Sequence, residues 1–386
     1  MSAQAVYITR TSAALPNAAV ENEDMEAVLG QVGGRPSRAR RIVLRNNGIR
    51  QRYYVIDPKT GEATYSNASL TAAAVRGLVG DGFSLGDIAC LACGTSNPDQ
   101  LLPNHAVMVH GELGAPAAVC EVVATSGVCV AGATALKYAW MAVQTGSLNA
   151  VATGSEVASL GLHATNYEAE CEVRSRALEA NPELAFDKDF LRWMLSDGAG
   201  AWLLEPAPRR GLNLRIDWID IFSFAHAMPV CMYMGAEKLP DGALRGWMRY
   251  SGREREATSV FALKQDVRLL NEAVVEYTVV KPLQRLLAKR RFEARDIDWF
   301  LPHVSSEYFR PRVAAGMERA GLAIPQERWF SNLAWTGNTG SAAIYILLDE
   351  LMRSGKVAAG QRLLCFVPES GRFSSSFMHL TAIAHA

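Results

Sequence analysis

The amino-acid sequence predicts an α/β protein built from two related halves. Apolar, strand-like stretches alternate with amphipathic, helix-like stretches along the 386 residues, a pattern typical of α/β folds. Segments of the first half also recur in the second half at a constant spacing. The Pro- and Arg-rich stretch EPAPRRG (205–211) separates the predicted halves, 1–210 and 211–386. Because strands and helices alternate, we expect predominantly parallel sheets.

The internal repeat consists of two pairs of matching segments. FSLGDIACLACGTSN (83–97) resembles FEARDIDWFLPHVSS (292–306), and both follow a helix-like stretch. ATSGVCVAGATALKYAWMAVQTGSL (124–148) resembles LAWTGNTGSAAIYILLDELMRSGKV (333–357). Both members of this second pair are predicted to form a short extended segment, a turn with Gly and an amphipathic helix that ends at Ser/Thr-Gly. All four segments agree with one offset of 209 residues.

The repeat brings chemically versatile residues to related turns. Cys129 corresponds to Asn338, and Gly94 corresponds to His303. Cys129, His303 and Asn338 are each predicted at the end of a strand, and α/β sheets gather their chemistry beyond the carboxyl ends of strands. Packing alone does not require a Cys, a His and an Asn at three related turns. We therefore predict that these three residues form one site.

Composition argues against several classes of function. The 39 basic residues balance the 39 acidic residues, so no global field attracts nucleic acid or a membrane. The first residues lack a basic segment followed by an apolar core, so no signal peptide is expected. Glu121 and Lys137 interrupt the longest apolar stretch, which therefore predicts a buried strand and helix. Seven cysteines, an odd number, predict free thiols in the reducing cytoplasm. We expect neither a metal nor a cofactor.

Cys129 is the candidate nucleophile. A helix that begins directly after it would direct free N–H groups and the positive end of the helix dipole at the sulfur. We therefore expect a lowered thiol pKa, which populates the reactive thiolate. Gly127, Ala131 and Gly132 are expected to leave room for an incoming thioester. The simpler interpretation is a buried cysteine that packs as a small apolar side chain.

We apply that simpler interpretation to the other six cysteines, Cys90, Cys93, Cys120, Cys171, Cys231 and Cys365. Cys90 and Cys93 form a CxxC pattern within an apolar strand. Alternate faces of a strand would point the two thiols apart, so a metal site or redox pair is not expected there.

His303 and Asn338 each have an ordinary interpretation as well. His303 ends the apolar strand in DWFLPHVSSEYF, where most lone histidines have only a structural role. Asn338 opens the helix in TGNTGSAA, and Asn is a preferred helix N-cap. The correspondence of Asn338 with Cys129 favours a functional role.

Three motifs resemble those of a known enzyme family. SGVCVAGATAL, LPHVSS and TGNTGSAAIYILL, in this order, resemble the Cys, His and Asn motifs of β-ketoacyl-ACP synthase III, a thiolase-like condensing enzyme. The resemblance spans nearly the whole chain and includes LRNNGIRQRYY (44–54). It implies a thiolase-like fold, with two pseudo-symmetric halves in a five-layered α-β-α-β-α arrangement. The Cys would lie in 1–210, and the His and Asn in 211–386. It also implies a homodimer with 97–113 at the interface.

The resemblance implies a role for each site residue. Cys129 would attack an acyl thioester and hold the acyl group covalently. His303 and Asn338 would then stabilise the enolate of a second thioester by hydrogen bonds to its carbonyl. Backbone N–H groups at Cys129 and near Gly371 would form the other oxyanion hole.

The chain also departs from the family pattern. The Gly-rich loop near the C-terminus becomes PESGRFSSSFMH (368–379), which keeps only Gly371. CVAGA lacks the Phe that usually follows Cys-Ala-Gly. The tryptophan that stacks on coenzyme A adenine in the family is replaced near Arg41. We therefore expect acyl carrier protein rather than coenzyme A as the acyl donor.

A basic stretch offers a place for such a carrier. GRPSRARRIVLRNNGIRQR (34–52) contains seven arginines and no acidic residue. The simplest interpretation is a solvated basic surface. A second is a dock for the phosphopantetheine phosphate and an acidic carrier helix, formed by Arg41 and Arg45 and extended by Arg310 and Arg312. Nucleic acid is a weaker third interpretation, because no matching motif accompanies the stretch.

Four stretches resemble one subgroup of the family, the ketosynthase/cyclases that make dialkylresorcinol or stilbene precursors. They are RRIVLRNNGIRQRYY, GVCVAGATALKYA, FLRWMLSDGAGAWLLEP and VPESGRFSSSFM. Such enzymes join a β-ketoacyl thioester to an α,β-unsaturated acyl thioester and close a cyclohexanedione ring. Glu156, at the end of a predicted strand, is a candidate second acid/base, although a surface or helix-capping Glu is the simpler interpretation. Glu369 is a weaker candidate for the same role.

Three alternatives remain open. The first is an ordinary β-ketoacyl-ACP synthase III that initiates fatty acid or polyketide chains with malonyl-ACP. The second is acyl transfer without condensation. The third is a non-catalytic partner subunit, which has no physical need for all three of Cys129, His303 and Asn338.

Overall fold

The computed structural model describes residues 4–37, 40–168 and 190–386. In these ranges the strands are β1 (Tyr7–Ala14), β2 (Val20–Glu21), β3 (Gln51–Arg52), β4 (Cys90–Thr95), β5 (Glu121–Ser126), β6 (Ala150–Glu156), β7 (Gly198–Glu205), β8 (Gly211–Ser223), β9 (Met232–Tyr233), β10 (Ala236–Lys238), β11 (Leu244–Gly246), β12 (Lys264–Gln265), β13 (Trp299–Pro302), β14 (Arg362–Glu369) and β15 (Ser374–His385). The α-helices are α1 (Met25–Leu29), α2 (Arg40–Asn47), α3 (Asn67–Arg76), α4 (His105–Leu113), α5 (Val130–Gln144), α6 (Ser159–Leu162), α7 (Gly252–Ala257), α8 (Val267–Val275), α9 (Lys281–Lys289), α10 (Arg310–Arg319), α11 (Leu333–Thr336) and α12 (Ala343–Arg353). A π-helical turn, Glu276–Val280, connects α8 to α9.

Nine strands form one large sheet in the order β13-β14-β15-β8-β1-β7-β6-β4-β5. This sheet has an N-terminal section, formed by β1 and β4–β7, and a C-terminal section, formed by β8 and β13–β15. The two sections meet at β1 and β8, which pair only through Tyr7–Arg215 and Ile8–Leu214. In one section β4 is parallel to β6, and β6 is antiparallel to β7. The other section repeats this order, because β13 is parallel to β14, and β14 is antiparallel to β15. The α/β prediction is confirmed.

The expectation of predominantly parallel sheets was wrong. Among the described residues, three of the eight pairings in the large sheet are parallel, namely β4–β5, β4–β6 and β13–β14. The β14–β15 pair shows one reason, because only residues 370–373 separate the two strands. A connection this short makes a hairpin, which is antiparallel, whereas parallel strands need a long crossover.

The helices and sheet sections form five layers. The central core cluster combines Leu136 of α5 and Leu348 of α12 with strands of both sections, so these two helices lie between the sections. A second cluster packs α3 and α4 on the outer face of the N-terminal section. A third packs α8, α9 and α10 on the outer face of the C-terminal section. Within the described ranges, no helix has both the length and the apolar character needed to cross a membrane.

The cysteines of the CxxC pattern lie on opposite faces of β4. Cys90 belongs to the central core, whereas Cys93 belongs to the outer N-terminal core. Both are buried and free, as predicted, and so are Cys231 and Cys365, whereas Cys120 is half-buried. Cys171 lies outside the described residues.

Glycines allow the central helices to pack closely. A Cβ at Gly132 would lie 2.4 Å from the carbonyl oxygen of Ser341, and a Cβ at Gly154 would lie 2.2 Å from the same oxygen. The Tyr345 hydroxyl donates to the Gly132 carbonyl oxygen at 2.8 Å. Gly132 and Ala131 were expected to leave room for a thioester, and this was wrong. Gly132 serves contact between helices, and Ala131 is buried in that packing.

We predict that Gly132→Ala lowers the free energy of unfolding by about 1–3 kcal/mol, because the new Cβ must displace a backbone carbonyl. Urea unfolding followed by circular dichroism measures this change. Gly252→Ala is the matched control, since its Cβ would meet nothing within 4 Å. The control should change stability by less than about 0.5 kcal/mol. Equal stability of Gly132→Ala and wild type would contradict the close packing.

Candidate active site

A cavity of about 270 Å³ lies where several strands end. Ser96 follows β4, Cys129 follows β5, Glu156 ends β6, His303 follows β13 and Glu369 ends β14. All five line the cavity, together with Asn338. The carboxyl ends of these parallel strands therefore supply most of its polar groups, as in other open α/β sheets.

Cys129 is the residue immediately before α5 and occupies its N-cap position. Its side chain is half-buried at the cavity wall. Burial raises the pKa of the thiol, and the carboxylates of Glu369 and Glu156 raise it further. The expectation of a lowered pKa was therefore wrong. A backbone hydrogen bond at the helix start acts in the expected direction, but burial and two negative charges outweigh it.

His303 lies directly after β13, and its N–H donates to the carbonyl oxygen of Phe366 at 2.7 Å. The side chain is buried, and burial lowers the pKa of the imidazole to about 4. His303 is therefore neutral near pH 7. Among the described residues its Nε2 has no hydrogen-bond partner, although the atom is buried. An unpaired buried polar atom at a cavity wall indicates a position for a ligand group.

Asn338 follows the short helix α11, so it does not end a strand as expected. The counterpart of β5 in the second half is reduced to one parallel bridge between Phe300 and Trp329. The Oδ1 of Asn338 accepts the N–H of Gly340 at 3.0 Å. This bond fixes the amide beside the first turn before α12, although Thr339 and not Asn338 occupies the N-cap position of that turn, and it leaves the NH₂ group of Asn338 for the cavity.

Glu156 is a buried carboxylic acid rather than a surface residue. Ser96 donates to its Oε1 at 2.5 Å, and the N–H and hydroxyl of Ser341 donate to its Oε2, both at 3.3 Å. The bond from the Ser341 N–H agrees with the capping interpretation. Burial nevertheless raises the pKa of Glu156 to about 7. Both protonation states are thus accessible near neutral pH, as a general acid/base requires.

Glu369 is a second carboxylate in the same cavity. Its Oε2 accepts the N–H of Val128 at 3.3 Å, and burial raises its pKa. The sequence contained a signal for this residue, since PESGRF replaces the Gly-rich loop of the family. The neighbouring Gly371 packs against Val128, and its carbonyl oxygen accepts the N–H groups of Cys231 and Met232. The predicted contribution of a Gly371 N–H to an oxyanion hole stays a prediction.

The rest of the cavity wall is mostly apolar and consists of residues outside the motifs that indicated the site. One part comes from the segment between β8 and α8, namely Met232, Tyr233, Met234, Phe261 and Leu263. Another part comes from α8 and the π-helical turn, namely Leu270, Val274, Val275, Thr278 and Val279. The β-branched run in VVEYTVV, unusual for a helix, was an available signal.

A smaller cavity of about 210 Å³ adjoins the first. The two share Phe190, Met194, Leu270 and Phe309 in their walls. Helix α2 lines the smaller cavity on one side. An adjoining pair of cavities of this kind suits an elongated ligand whose reactive end lies beside Cys129.

Two of the predicted carrier-binding arginines, Arg41 and Arg45, lie exposed on α2 next to this smaller cavity. Arg312 is exposed and donates to Tyr308 and Asn271, which both line that cavity. Arg310 instead packs over the ring of Trp329 and donates to Gln326, away from the cavity wall.

The basic stretch 34–52 is not a uniform surface. Arg52 is buried and donates to the Trp193 carbonyl oxygen and to Asn22. Arg40 forms an ion pair with Glu26. Arg38 lies outside the described residues. A carrier-binding role therefore concerns only part of this stretch.

Sequence comparisons show that the chain is similar to condensing enzymes. Residues 287–372 match the family model for the 3-oxoacyl-[acyl-carrier-protein (ACP)] synthase III C terminal. This range contains His303, Asn338 and Glu369. The β-ketoacyl-[acyl-carrier-protein] synthase III of Xanthomonas oryzae pv. oryzae is 26% identical over 361 residues, which cover 92% of each protein.

Solved structures agree on the fold. The tetronic acid condensing enzyme AbyA1 superposes with a TM-score of 0.70 at 18% identity, covering 97% of this chain and 99% of that one. A variant of OleA from Xanthomonas campestris, solved with lauric acid and lauroyl-CoA, gives a TM-score of 0.68 at 18% identity, covering 98% and 99%. The predicted thiolase-like fold is confirmed. Over nearly its whole length the chain is similar to β-ketoacyl-ACP synthase III, an acyltransferase and condensing enzyme.

Proposed function

We propose that this condensing enzyme is a ketosynthase/cyclase that makes the cyclohexanedione precursor of a dialkylresorcinol or stilbene. It would join two acyl thioesters by a Claisen-type condensation through an acyl-Cys129 intermediate. The observation that supports this most is the content of one cavity. A thiol, a neutral imidazole, an amide and two carboxylates line it together with an apolar wall.

In the first step Cys129 takes the acyl group. The sulfur attacks the thioester carbonyl, the acyl–sulfur bond of the donor breaks, and the donor leaves as a free thiol. The apolar wall formed by Leu270 and the residues around Val279 suits an alkyl or aryl chain. OleA, with its bound lauric acid and lauroyl-CoA, shows that this fold accommodates an apolar acyl chain.

In the second step His303 and Asn338 stabilise an enolate. Both side chains are neutral, and each offers an N–H group toward the cavity. Two neutral donors favour an oxyanion that develops in the reaction without binding a resting anion too tightly. The second thioester loses one α-proton to give this enolate, whose carbon attacks the acyl carbonyl. The new carbon–carbon bond forms, the acyl–sulfur bond breaks, and the departing thiolate of Cys129 takes up the proton that the α-carbon lost.

Ring closure requires a second carbon–carbon bond, formed by conjugate addition of a carbanion to the α,β-unsaturated chain. One proton leaves a carbon atom and one returns to another, so a single acid/base group suffices. Glu156 suits this task, because it is buried in the cavity with a pKa of about 7. AbyA1, a tetronic acid condensing enzyme, offers a ring-forming precedent on this fold.

We further propose acyl carrier proteins as donors. Arg41, Arg45 and Arg312 lie exposed beside the smaller cavity, where a phosphate and an acidic helix would meet them. Arg310 is a weaker candidate, because it is engaged with Trp329 and Gln326. The free cysteines fit a reducing compartment, and we place the enzyme in the cytoplasm.

A homodimer is the proposed assembly. The segment 97–113 exposes the apolar side chains of Leu101 and Leu102, and Val119 nearby is 99% exposed. The neighbouring strand β5 is the edge of the large sheet. Exposed apolar side chains beside an open sheet edge are typical of an interface between subunits.

The second candidate is an ordinary β-ketoacyl-ACP synthase III that uses malonyl-ACP. The name of the Xanthomonas oryzae relative and the family model favour it. Its product is a linear β-ketoacyl thioester, so product identity separates it from the cyclase. A non-catalytic subunit is disfavoured, since the unpaired Nε2 of His303 would then be buried without benefit.

We predict that acyl-ACP forms an adduct with the wild-type enzyme and none with Cys129→Ala, as measured by intact-protein mass spectrometry. His303→Ala and Asn338→Ala should still form the adduct. Their condensation rate should fall by about 10²–10³-fold each, because one donor to the developing oxyanion is lost. Cys120→Ala, which removes a half-buried cysteine outside the cavity, should retain the adduct. An adduct on Cys129→Ala would refute this assignment.

We predict that Glu156→Gln forms the acyl-enzyme and an open-chain product but closes the ring about 10²-fold more slowly. In the wild type the ratio of ring to open-chain product should rise as pH increases through about 7, because the ionised carboxylate is the base. Liquid chromatography with mass spectrometry measures this ratio. The ratio in Glu156→Gln should not vary with pH, and undiminished ring formation would contradict the proposed role.

We predict that Arg45→Glu raises KM for acyl-ACP about tenfold, which corresponds to about 1.4 kcal/mol, with kcat unchanged. Reversal of this charge repels an acidic carrier. KM for a short acyl thioester without phosphate or protein should not change. Arg295→Glu is the control, because this exposed arginine precedes β13 at the end opposite His303. Equal KM values for Arg45→Glu and wild type would place the carrier elsewhere.

A further inference from the structure

The carboxylate of Glu369 lies against the turn that presents the nucleophile. Its Oε2 accepts the N–H of Val128, the residue directly before Cys129, at 3.3 Å. A Cβ built on Gly127 would lie 3.8 Å from the same oxygen. The carboxylate therefore borders the 127–129 turn at the start of α5, although 241 residues separate Glu369 from Val128.

This contact changes what the helix start can do for the thiol. A helix N-terminus stabilises a negative charge through its free N–H groups. Here the Glu369 carboxylate accepts the N–H of Val128 next to the helix start, and it also accepts a backbone hydrogen bond from Val130, the first residue of α5. Helix α5 therefore stabilises the thiolate less than an unoccupied helix start would. Cys129 rests as a thiol and needs a group that removes its proton.

The described residues offer few groups for that proton. The other titratable side chains at the cavity wall are those of Glu156, Glu369, His303 and Tyr233. Glu156 is held by hydrogen bonds from Ser96 and Ser341, whereas Glu369 accepts the N–H of Val128 directly before the thiol. Of the two carboxylates, Glu369 has the larger electrostatic effect on Cys129. Glu369 is thus the base that the geometry favours.

We propose, on the basis of the proposed acyl-transfer function, that Glu369 is the general base for loading of Cys129. The Glu369 carboxylate takes the thiol proton as the sulfur attacks the acyl carbonyl of the donor. The acyl–sulfur bond of the donor then breaks, and the protonated Glu369 returns that proton to the leaving thiolate. Protons and charges balance over the step, and no oxidant or other reactant is needed.

This assignment divides the proton chemistry between two carboxylates. Glu369 handles the S–H proton during acyl loading, and Glu156 handles C–H protons during ring closure. The two residues end different strands, β14 and β6, which belong to different sections of the sheet. Each carboxylate can therefore be changed without directly altering the backbone that holds the other.

The test combines two measurements on Glu369→Gln, which keeps an acceptor for the Val128 N–H. The first is the single-turnover rate of Cys129 acylation by acyl-ACP, which should fall about 10²-fold or more. The second is alkylation of Cys129 by iodoacetamide across a pH series, followed on the Cys129 peptide by mass spectrometry. Its pH midpoint should decrease, because loss of a nearby negative charge favours the thiolate.

Slower acylation together with easier ionisation of the thiol identifies a base. A carboxylate that only opposes the thiolate would give faster acylation in Glu369→Gln together with the lower midpoint, and this result would overturn the proposal. Unchanged values of both quantities would also overturn it. Failure of the wild-type enzyme to be acylated would instead refute the proposed function itself.

Two further variants keep the test decisive. Glu62→Gln, on an exposed turn, is the control and should match the wild type in both measurements. Glu369→Asp retains a carboxylate but withdraws it by one methylene, so its acylation rate should lie between those of wild type and Glu369→Gln. If Glu369→Gln does not fold, Glu369→Asp decides the question, and an unchanged acylation rate would overturn the proposal.

Discussion

The active site depends on the close contact between the two central helices. Gly132 near the start of α5 and Gly154 of β6 both approach the carbonyl oxygen of Ser341, which lies two residues before the start of α12. No side chain fits between these backbones. The starts of α5 and α12 are therefore adjacent, which brings Cys129 and Asn338 to one cavity although they belong to different halves of the chain. The Tyr345 hydroxyl bond to Gly132 strengthens the same contact.

Burial in this cavity shifts its titratable groups toward their neutral forms. The pKa of His303 falls to about 4, that of Glu156 rises to about 7, and that of Cys129 rises above its usual value. These shifts share one main cause, since a low-dielectric environment disfavours every charged form. A site with few resting charges is suited to chemistry in which thiolates and enolates exist only transiently, because donors such as His303 and Asn338 then interact most strongly with the developing charge.

The two halves contribute different parts to this site. The first half retains strand β5 and presents Cys129 after it, whereas the second half reduces the matching strand to one bridge and presents Asn338 from a helical turn. In each half a long segment lies between the first strand and the next long helix. It spans residues 15–66, between β1 and α3, in the first half, and residues 224–266, between β8 and α8, in the second half. These segments meet in a small core that joins Leu29 and Tyr54 to Met232. The site lies beneath this junction, and residues near Met232 supply part of its apolar wall.

The sequence alone was sufficient for the α/β class and for the helix after Cys129, because hydrophobic periodicity is a local property. The 209-residue repeat also pointed to Cys129, His303 and Asn338 as members of one site. It did not determine the strand directions, the role of Gly132 or the ionisation of Cys129. These depend on groups that are distant along the chain, such as the Ser341 carbonyl next to Gly132 and the Glu369 carboxylate next to Val128. Electrostatic fields and close contacts are summed over neighbours in space, so only the tertiary structure decided them.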